Sequence, residues 1–350
     1  MNLAELQNEV KSGEMIVDQS LIGNDYSGAD LAGGVFVNTD FSDCVFRTAI
    51  LSEASFINCI FNRSDFSDTV FGVVNFIEPV MEKTVFRNPD LTKCSFVTAI
   101  ITGADFSDAN LSEANFVDPD FSGTCFDRAN LNFTNLINAN MQKSSLQGAN
   151  LTRTNFIEAD LSGVSLQNAI MSQTIFVKPD LRGQDFSGMN LSMTQFREAN
   201  MQDCRFVGTN LVQTSFFGAN LEGAVLDYAD ATLAIFYDAN LTFASMKEMV
   251  LEQAGLQTAN LTGVNLTKSK LVQAQLTDSI CYQALFTKTD LTYADLSNAD
   301  LRDCNFSDAE LFRANLHAVM DEAAVWEGSS KATALSTDQP RLAAEQWQPK

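Results

Sequence analysis

The sequence predicts an all-β solenoid of square cross-section that does no catalysis, and three observations lead there. An apolar residue recurs every five positions, without one insertion, from Leu21 to Leu316. A small residue recurs two places before it, as in Ala29, Ala49, Ala54 and Ala104. In one pentad phase out of four, the residue after the central one is also apolar, which sets a longer period of twenty residues.

A period of five fits neither the 3.6 of a helix nor the 2 of a strand, so the chain must turn a corner in every pentad. The sixty central positions hold 28 Leu, 23 Phe and 5 Met, with Tyr26, Ile101, Ala231 and Cys281 filling the rest. One large and one small residue per pentad point inward. Asp or Asn between them, as in Ala109-Asn110-Leu111, suits the tight turns outside. Four pentads per twenty-residue repeat predict about 15 coils, which at ~4.8 Å per coil extend roughly 70 Å.

The ends read differently. Asn2 with Glu5 has the form of a capping box, followed by Leu3, Leu6 and Val10 on one helical face, so residues 1–15 are expected to form an N-terminal cap helix. The repeat occupies 16–328. Residues 329–350 are expected to be a linker and tail, with a short closing helix from Asp338-Gln339-Pro340-Arg341 through Leu342 to Trp347.

Composition excludes several functions. Forty-four acidic residues against 22 basic ones give a net charge of −22, which opposes direct binding to nucleic acid or to anionic membranes. No signal peptide or membrane span is recognisable, and a cytoplasmic location is expected. The single histidine, His317, is expected to be ordinary surface; alone it builds neither a catalytic triad nor a zinc site. Cys44, Cys59, Cys94, Cys204 and Cys304 fall at the small inward position and Cys281 at a central one, so they read as core fillers; only Cys125 falls outward. No cofactor and no metal are expected. Fifteen acidic residues sit at the Asp/Asn turn position, where the repeat accounts for them.

The informative surface feature is the apolar phase: Val37, Ile57, Ile77, Val97, Val117, Ile137, Ile157 and Val177, then Arg197, Phe217 and Tyr237. The other three phases, taken to share its geometry, carry Ser, Thr, Arg and Gln. β-branched residues stabilise stacked ladders, but an exposed apolar strip is also what an interface presents. One residue on, Glu78, Asp118, Glu158, Glu198, Asp238 and Asp278 place a carboxylate on every second coil. Pro79, Pro119 and Pro179 mark the neighbouring corner, in one phase.

Ala109-Asn110-Leu111-Ser112-Glu113 and Ala299-Asp300-Leu301-Arg302-Asp303 match the consensus of the pentapeptide-repeat family, which the chain resembles from 21 to 316. The resemblance implies a right-handed quadrilateral β-helix and little about function. Leu335-Ser336-Thr337-Asp338 with Leu342-Ala343-Ala344-Glu345-Gln346-Trp347 resembles the tails of pentapeptide-repeat proteins that accompany type VI secretion toxins. That resemblance implies a non-catalytic scaffold or adaptor for a secreted effector. The alternative is an acidic rod that binds DNA gyrase or topoisomerase in place of DNA, as in the quinolone-resistance branch. B-DNA of this length would carry about 40 charges against the 22 here, and the repeat has no projecting loop. A second copy of the chain is the remaining partner considered.

Overall fold

The computed structural model describes residues 1–347; the last three residues of the expected tail lie outside them. It comprises two compact units, one ending at Pro179 and one beginning at Asp180.

In the first unit, α1 (Leu3–Ser12) opens with the reciprocal capping box of Asn2 and Glu5 and stops at Gly13, whose φ of 75° is the left-handed conformation that glycine adopts without penalty. It lies against β1, with Leu6 and Val10 buried. The coils follow, one three-residue strand in each: β1 (Met15–Val17), β2 (Val35–Val37), β3 (Ser55–Ile57), β4 (Asn75–Ile77), β5 (Ser95–Val97), β6 (Asn115–Val117), β7 (Asn135–Ile137), β8 (Asn155–Ile157) and β9 (Ile175–Val177). They pair in parallel with a step of twenty, as Phe36 with Phe56 and Ile57 with Ile77. On the other three faces the chain turns instead. The Ala109 N–H closes a turn onto the Phe106 carbonyl at 3.0 Å, with Asp108 between them at φ 61°.

Every one of the sixty central side chains is buried, none more than 6% exposed. In the first unit half of them are phenylalanines, many stacked from coil to coil. Phe56 and Phe76 lie 5.1 Å apart between ring centres, and Phe76 and Phe96 lie 4.7 Å apart, with their planes nearly parallel. At several small inward positions a polar side chain donates to main chain twenty-three residues back, as Thr84 Oγ1 to the Phe61 carbonyl (2.7 Å) and Cys44 Sγ to that of Leu21 (3.0 Å), whereas Ser144 Oγ is buried without a partner. The donated bond is how Thr, Ser and Cys enter the core without the cost of an unpaired polar group. The turn-position Asp and Asn accept the N–H two residues on, as Asp40 from Ser42 (2.9 Å). They also form amide ladders between coils, as Asn130 donating to Asn110 and Asn150 to Asn130.

The second unit keeps the twenty-residue step, as in Asn240 with Asn260 and Asn260 with Ile280. After β10 (Gln195–Arg197) its fourth face turns like the others: Ala219 N–H closes onto the Phe216 carbonyl at 3.0 Å. Regular strands therefore mark about nine turns, β1 to β9, where the pentad count led us to expect fifteen coils. Once the fourth face closes its turn, single-residue bridges replace the strand and hold the coils together.

The C-terminal end departs from expectation twice. Residues 329–336 are no free linker: Ser330 N–H donates to Ala309 O, Leu335 pairs with Asn315, and a 3₁₀ turn spans Lys331–Thr333. Trp326 stacks on Phe306 at 4.2 Å. The closing helix α2 (Gln339–Glu345), capped by Asp338, ends short of Trp347, which is 70% exposed. His317 is not surface but 1% exposed. Its Nδ1 accepts the Asp338 N–H (3.1 Å), which leaves Nε2 to donate to Glu345 (3.0 Å). A residue that clamps a returning segment is hidden by that segment, and pentad phase carries no information about it.

Candidate protein-binding face

The apolar phase of the first unit is the strand face. In each strand the middle residue points in and its two neighbours point out, so Val37, Ile57, Ile77, Val97, Val117, Ile137, Ile157 and Val177 stack in one outward row. Seven of these are half-buried by their neighbours, and Ile77 is exposed at 38%. The expectation that all four phases share one geometry is incorrect. Only this phase keeps the residue after the central one extended, where β-branching suits the backbone.

Beside the row, Glu78, Asp118 and Glu158 are exposed, each at the left-handed turn position, with φ from 52° to 55°. Asn138 lies between two of them and donates to Asp118 at 2.9 Å, so an amide relieves the like-charge stacking. The prolines are explained by the same geometry. Pro79, Pro119 and Pro179 are buried at the small inward position. Among the described residues, the N–H groups of Thr39, Cys59 and Ala99, at that position on this face, make no backbone hydrogen bond, so a proline loses nothing there.

In the second unit Arg197 still lies in β10, and from Phe217 on the corresponding side chains follow turn geometry. Phe217 and Tyr237 are exposed at 38% and 37%, with Ile235 beside them. Arg197 lies over the Phe217 ring at 5.7 Å and pairs with Glu198 at 3.2 Å. Asp238 accepts from Thr258 Oγ1 at 2.6 Å. Gln195, Arg197, Ser215, Phe217, Ile235 and Tyr237 line a shallow groove of about 340 Å³. Tyr237 covers Gly255, where a Cβ would come within 2.2 Å of the ring.

Among the described residues, no group of three His, Cys, Asp or Glu side chains could hold a metal ion. Burial pushes the Cys44 and Cys59 thiols up to about 11 and those of Cys94, Cys204 and Cys281 up to about 12, away from the thiolate that nucleophilic chemistry needs. Among the described residues, no helix is long and apolar enough to cross a membrane.

A family model described as "Pentapeptide repeats (8 copies)" matches in overlapping copies over 27–77, 80–173 and 180–317. The chain belongs to that family. No curated protein matches the sequence significantly. Solved structures similar to it include HetL of the cyanobacterium Nostoc, a pentapeptide repeat protein involved in heterocyst differentiation regulation. It is 23% identical over 72% of this chain and 91% of that one, with a TM-score of 0.41. A second is a pentapeptide repeat protein of the Arabidopsis thaliana thylakoid lumen, 30% identical over 36% of this chain and 66% of its own, TM-score 0.20. A third is QnrB1, a plasmid-mediated fluoroquinolone resistance protein, 20% identical over 60% of this chain and 92% of its own, TM-score 0.24.

Sequence reasoning missed one place in this pentapeptide-repeat chain. Pro89 stands at the small inward position outside the proline phase, and Gly72 takes the left-handed conformation (φ 55°) one residue early. The signal was available, since Pro79, Pro119 and Pro179 share a phase that Pro89 does not.

Proposed function

We propose that the protein is a non-catalytic scaffold whose protein partner docks on the strand face of the first unit, over Val37 to Val177, with Glu78, Asp118 and Glu158 meeting basic groups at the rim. One observation carries the reading. Strand geometry explains why these residues are β-branched, but not why all eight are hydrocarbons. Threonine is an equally good strand former and would suit a half-exposed position, yet none of the eight is Thr. A flat apolar row with an acidic margin has the anatomy of an interface. Phe217, Tyr237, Glu198 and Asp238 extend the proposal to the groove of the second unit. The C-terminal resemblance favours a secreted effector as the partner.

A photocrosslinking residue placed at Ile77, with Lys143 as a control on a turn face, tests this in the source organism. The reading predicts a discrete crosslinked product from position 77 and none from 143. A toxin, a gyrase subunit or a second copy of the chain would each be identified by mass spectrometry of that product. Equal products from both positions, or none from 77, would sink the reading.

A further inference from the structure

A coil at the end of a ladder has main-chain groups that no further coil meets, and the two units treat them differently. In the second unit the chain returns to cover them. Leu335 N–H donates to the Ala314 carbonyl (2.8 Å), and Leu316 N–H to the Leu335 carbonyl (2.9 Å). In the first unit no described residue pairs with the outer side of β1, which has β2 as its one neighbour in the sheet.

In a parallel ladder, successive residues of a strand bond to opposite sides. Asp18 N–H donates to the Val37 carbonyl at 3.0 Å, so Met15 and Val17 direct their main-chain groups away from β2. Among the described residues neither of those N–H groups makes a hydrogen bond, and the Met15 carbonyl accepts none. The Val17 carbonyl accepts the Gln19 side-chain amide at 3.0 Å, a bond that the N–H of a neighbouring strand would otherwise supply. Around the corner the pattern repeats. Asp40 N–H reaches the Gln19 carbonyl at 2.9 Å, while Ser20 N–H, one coil earlier, meets no acceptor among the described residues. α1 closes the core opening with Leu6 and Val10, yet among the described residues it forms no hydrogen bond with β1.

The side chains register the missing neighbour. Met15 is 59% exposed and Val17 38%, whereas Val35 and Val37, one coil on, are half-buried. Edge strands are ordinarily blunted by a charge, a proline or a bulge, and Met15-Ile16-Val17 carries none of these. The last coil of the second unit, by contrast, sets Asp321 and Lys331 at two of its central positions, paired at 2.6 Å. Val17 also heads the hydrocarbon row, stacked directly before Val37, so the edge and the row form one surface.

We infer that the free edge of β1 receives an extended segment of the partner protein as a further strand, an inference that rests on the protein-binding reading above. The unpaired N–H and carbonyl groups recognise a peptide backbone, whose own donors and acceptors alternate at the same spacing. The segment reads apolar–small–apolar. Its outer residues cover Met15 and Val17 as β2 does from the other side. Its middle residue points toward the opening that buried Leu6 and Val10 already fill, which calls for a small side chain.

The test titrates the full chain with the capped peptide Thr-Val-Ala-Val-Thr, and with the same peptide methylated at every amide nitrogen, followed by backbone amide NMR. Saturable shifts at Met15, Val17 and Ser20 are expected with the first peptide, and binding at least tenfold weaker with the second. Val17→Pro deletes an N–H that bonds nothing within the chain, on an edge strand where proline is tolerated. It should keep the melting temperature and weaken the peptide at least tenfold. Absence of shifts, equal binding of the methylated peptide, or full binding by Val17→Pro overturns the inference. A concentration-dependent dimer that Val17→Pro abolishes would make a second copy the occupant and overturn the partner's segment. The variant Ile57→Ser, Ile77→Ser, Val97→Ser separates the two readings. If it loses the partner while Val17→Pro keeps it, only the edge falls. If it keeps the partner while Val17→Pro loses it, the edge stands and the row falls.

Discussion

The two units build the same pentad differently, and the difference lies in one backbone choice per coil. In the first, the fourth face is a strand. Its small inward residue needs no N–H, prolines occupy that corner, and the outward row is hydrocarbon. In the second, the same face turns, the N–H is used, and the row becomes Phe217, Tyr237, Gln257, Thr277 and Ser297. The cores differ in parallel, with stacked phenylalanines early and mainly leucines from 241 onward. One residue's choice of extended or turned backbone thus decides whether a repeat presents a flat apolar face or a polar corner.

The largest effect should come from the stacked core. Phe76→Ala removes a ring held between Phe56 and Phe96 and is expected to cost about 3–5 kcal/mol. Chemical denaturation measures it, and a cost under about 1 kcal/mol would mean that the stack is not what holds the first unit. A proline pair tests the comparison itself. Ala259→Pro deletes the N–H that closes onto the Leu256 carbonyl at 3.2 Å and should cost about 3 kcal/mol. Ala99→Pro, on the strand face in the phase of Pro79 and Pro119, should cost less than about 1 kcal/mol. Equal costs would erase the distinction between the units.

Acidification should loosen the C-terminal clamp. Hydrogen bonds from His317 and then Arg341 hold the Glu345 carboxyl below its ordinary value. A depressed carboxyl stabilises the docked helix at pH values above its unfolded pKa, and the contribution is lost as pH falls through the lowered folded value. Protease nicking near residue 335 should therefore rise below about pH 4, and Glu345→Gln should abolish that dependence. Thr98→Asn is the smallest change. It replaces a β-branched residue at φ 51° with one that tolerates the left-handed region, for a gain of about 0.5–1 kcal/mol. A loss of stability there would show that Thr98 makes up for its strain elsewhere.

The fold was legible because its signal repeats: Leu21 to Leu316 states the same inward residue sixty times, and Val37 to Val177 marks the coil period. What repetition could not show was geometry that differs between phases, since extended and turned backbone both leave the central residue buried. Single events escape a repeat. His317 is buried by a helix that begins twenty-two residues later, while the unclosed turns at Phe71 and Phe86 go with one glycine a place early and with Pro89, whose odd phase is visible in the sequence. Such features depend on neighbours twenty residues away rather than on the pentad.

The central claim is that the hydrocarbon row of the first unit is a docking face. Comparing Ile57→Ser, Ile77→Ser, Val97→Ser with the unaltered chain in quantitative affinity capture, with thermal unfolding alongside, tests it most directly. The account predicts a melting transition lowered by only a few degrees and at least a tenfold loss of the captured partner. A folded variant that captures the same partner at full yield would contradict it.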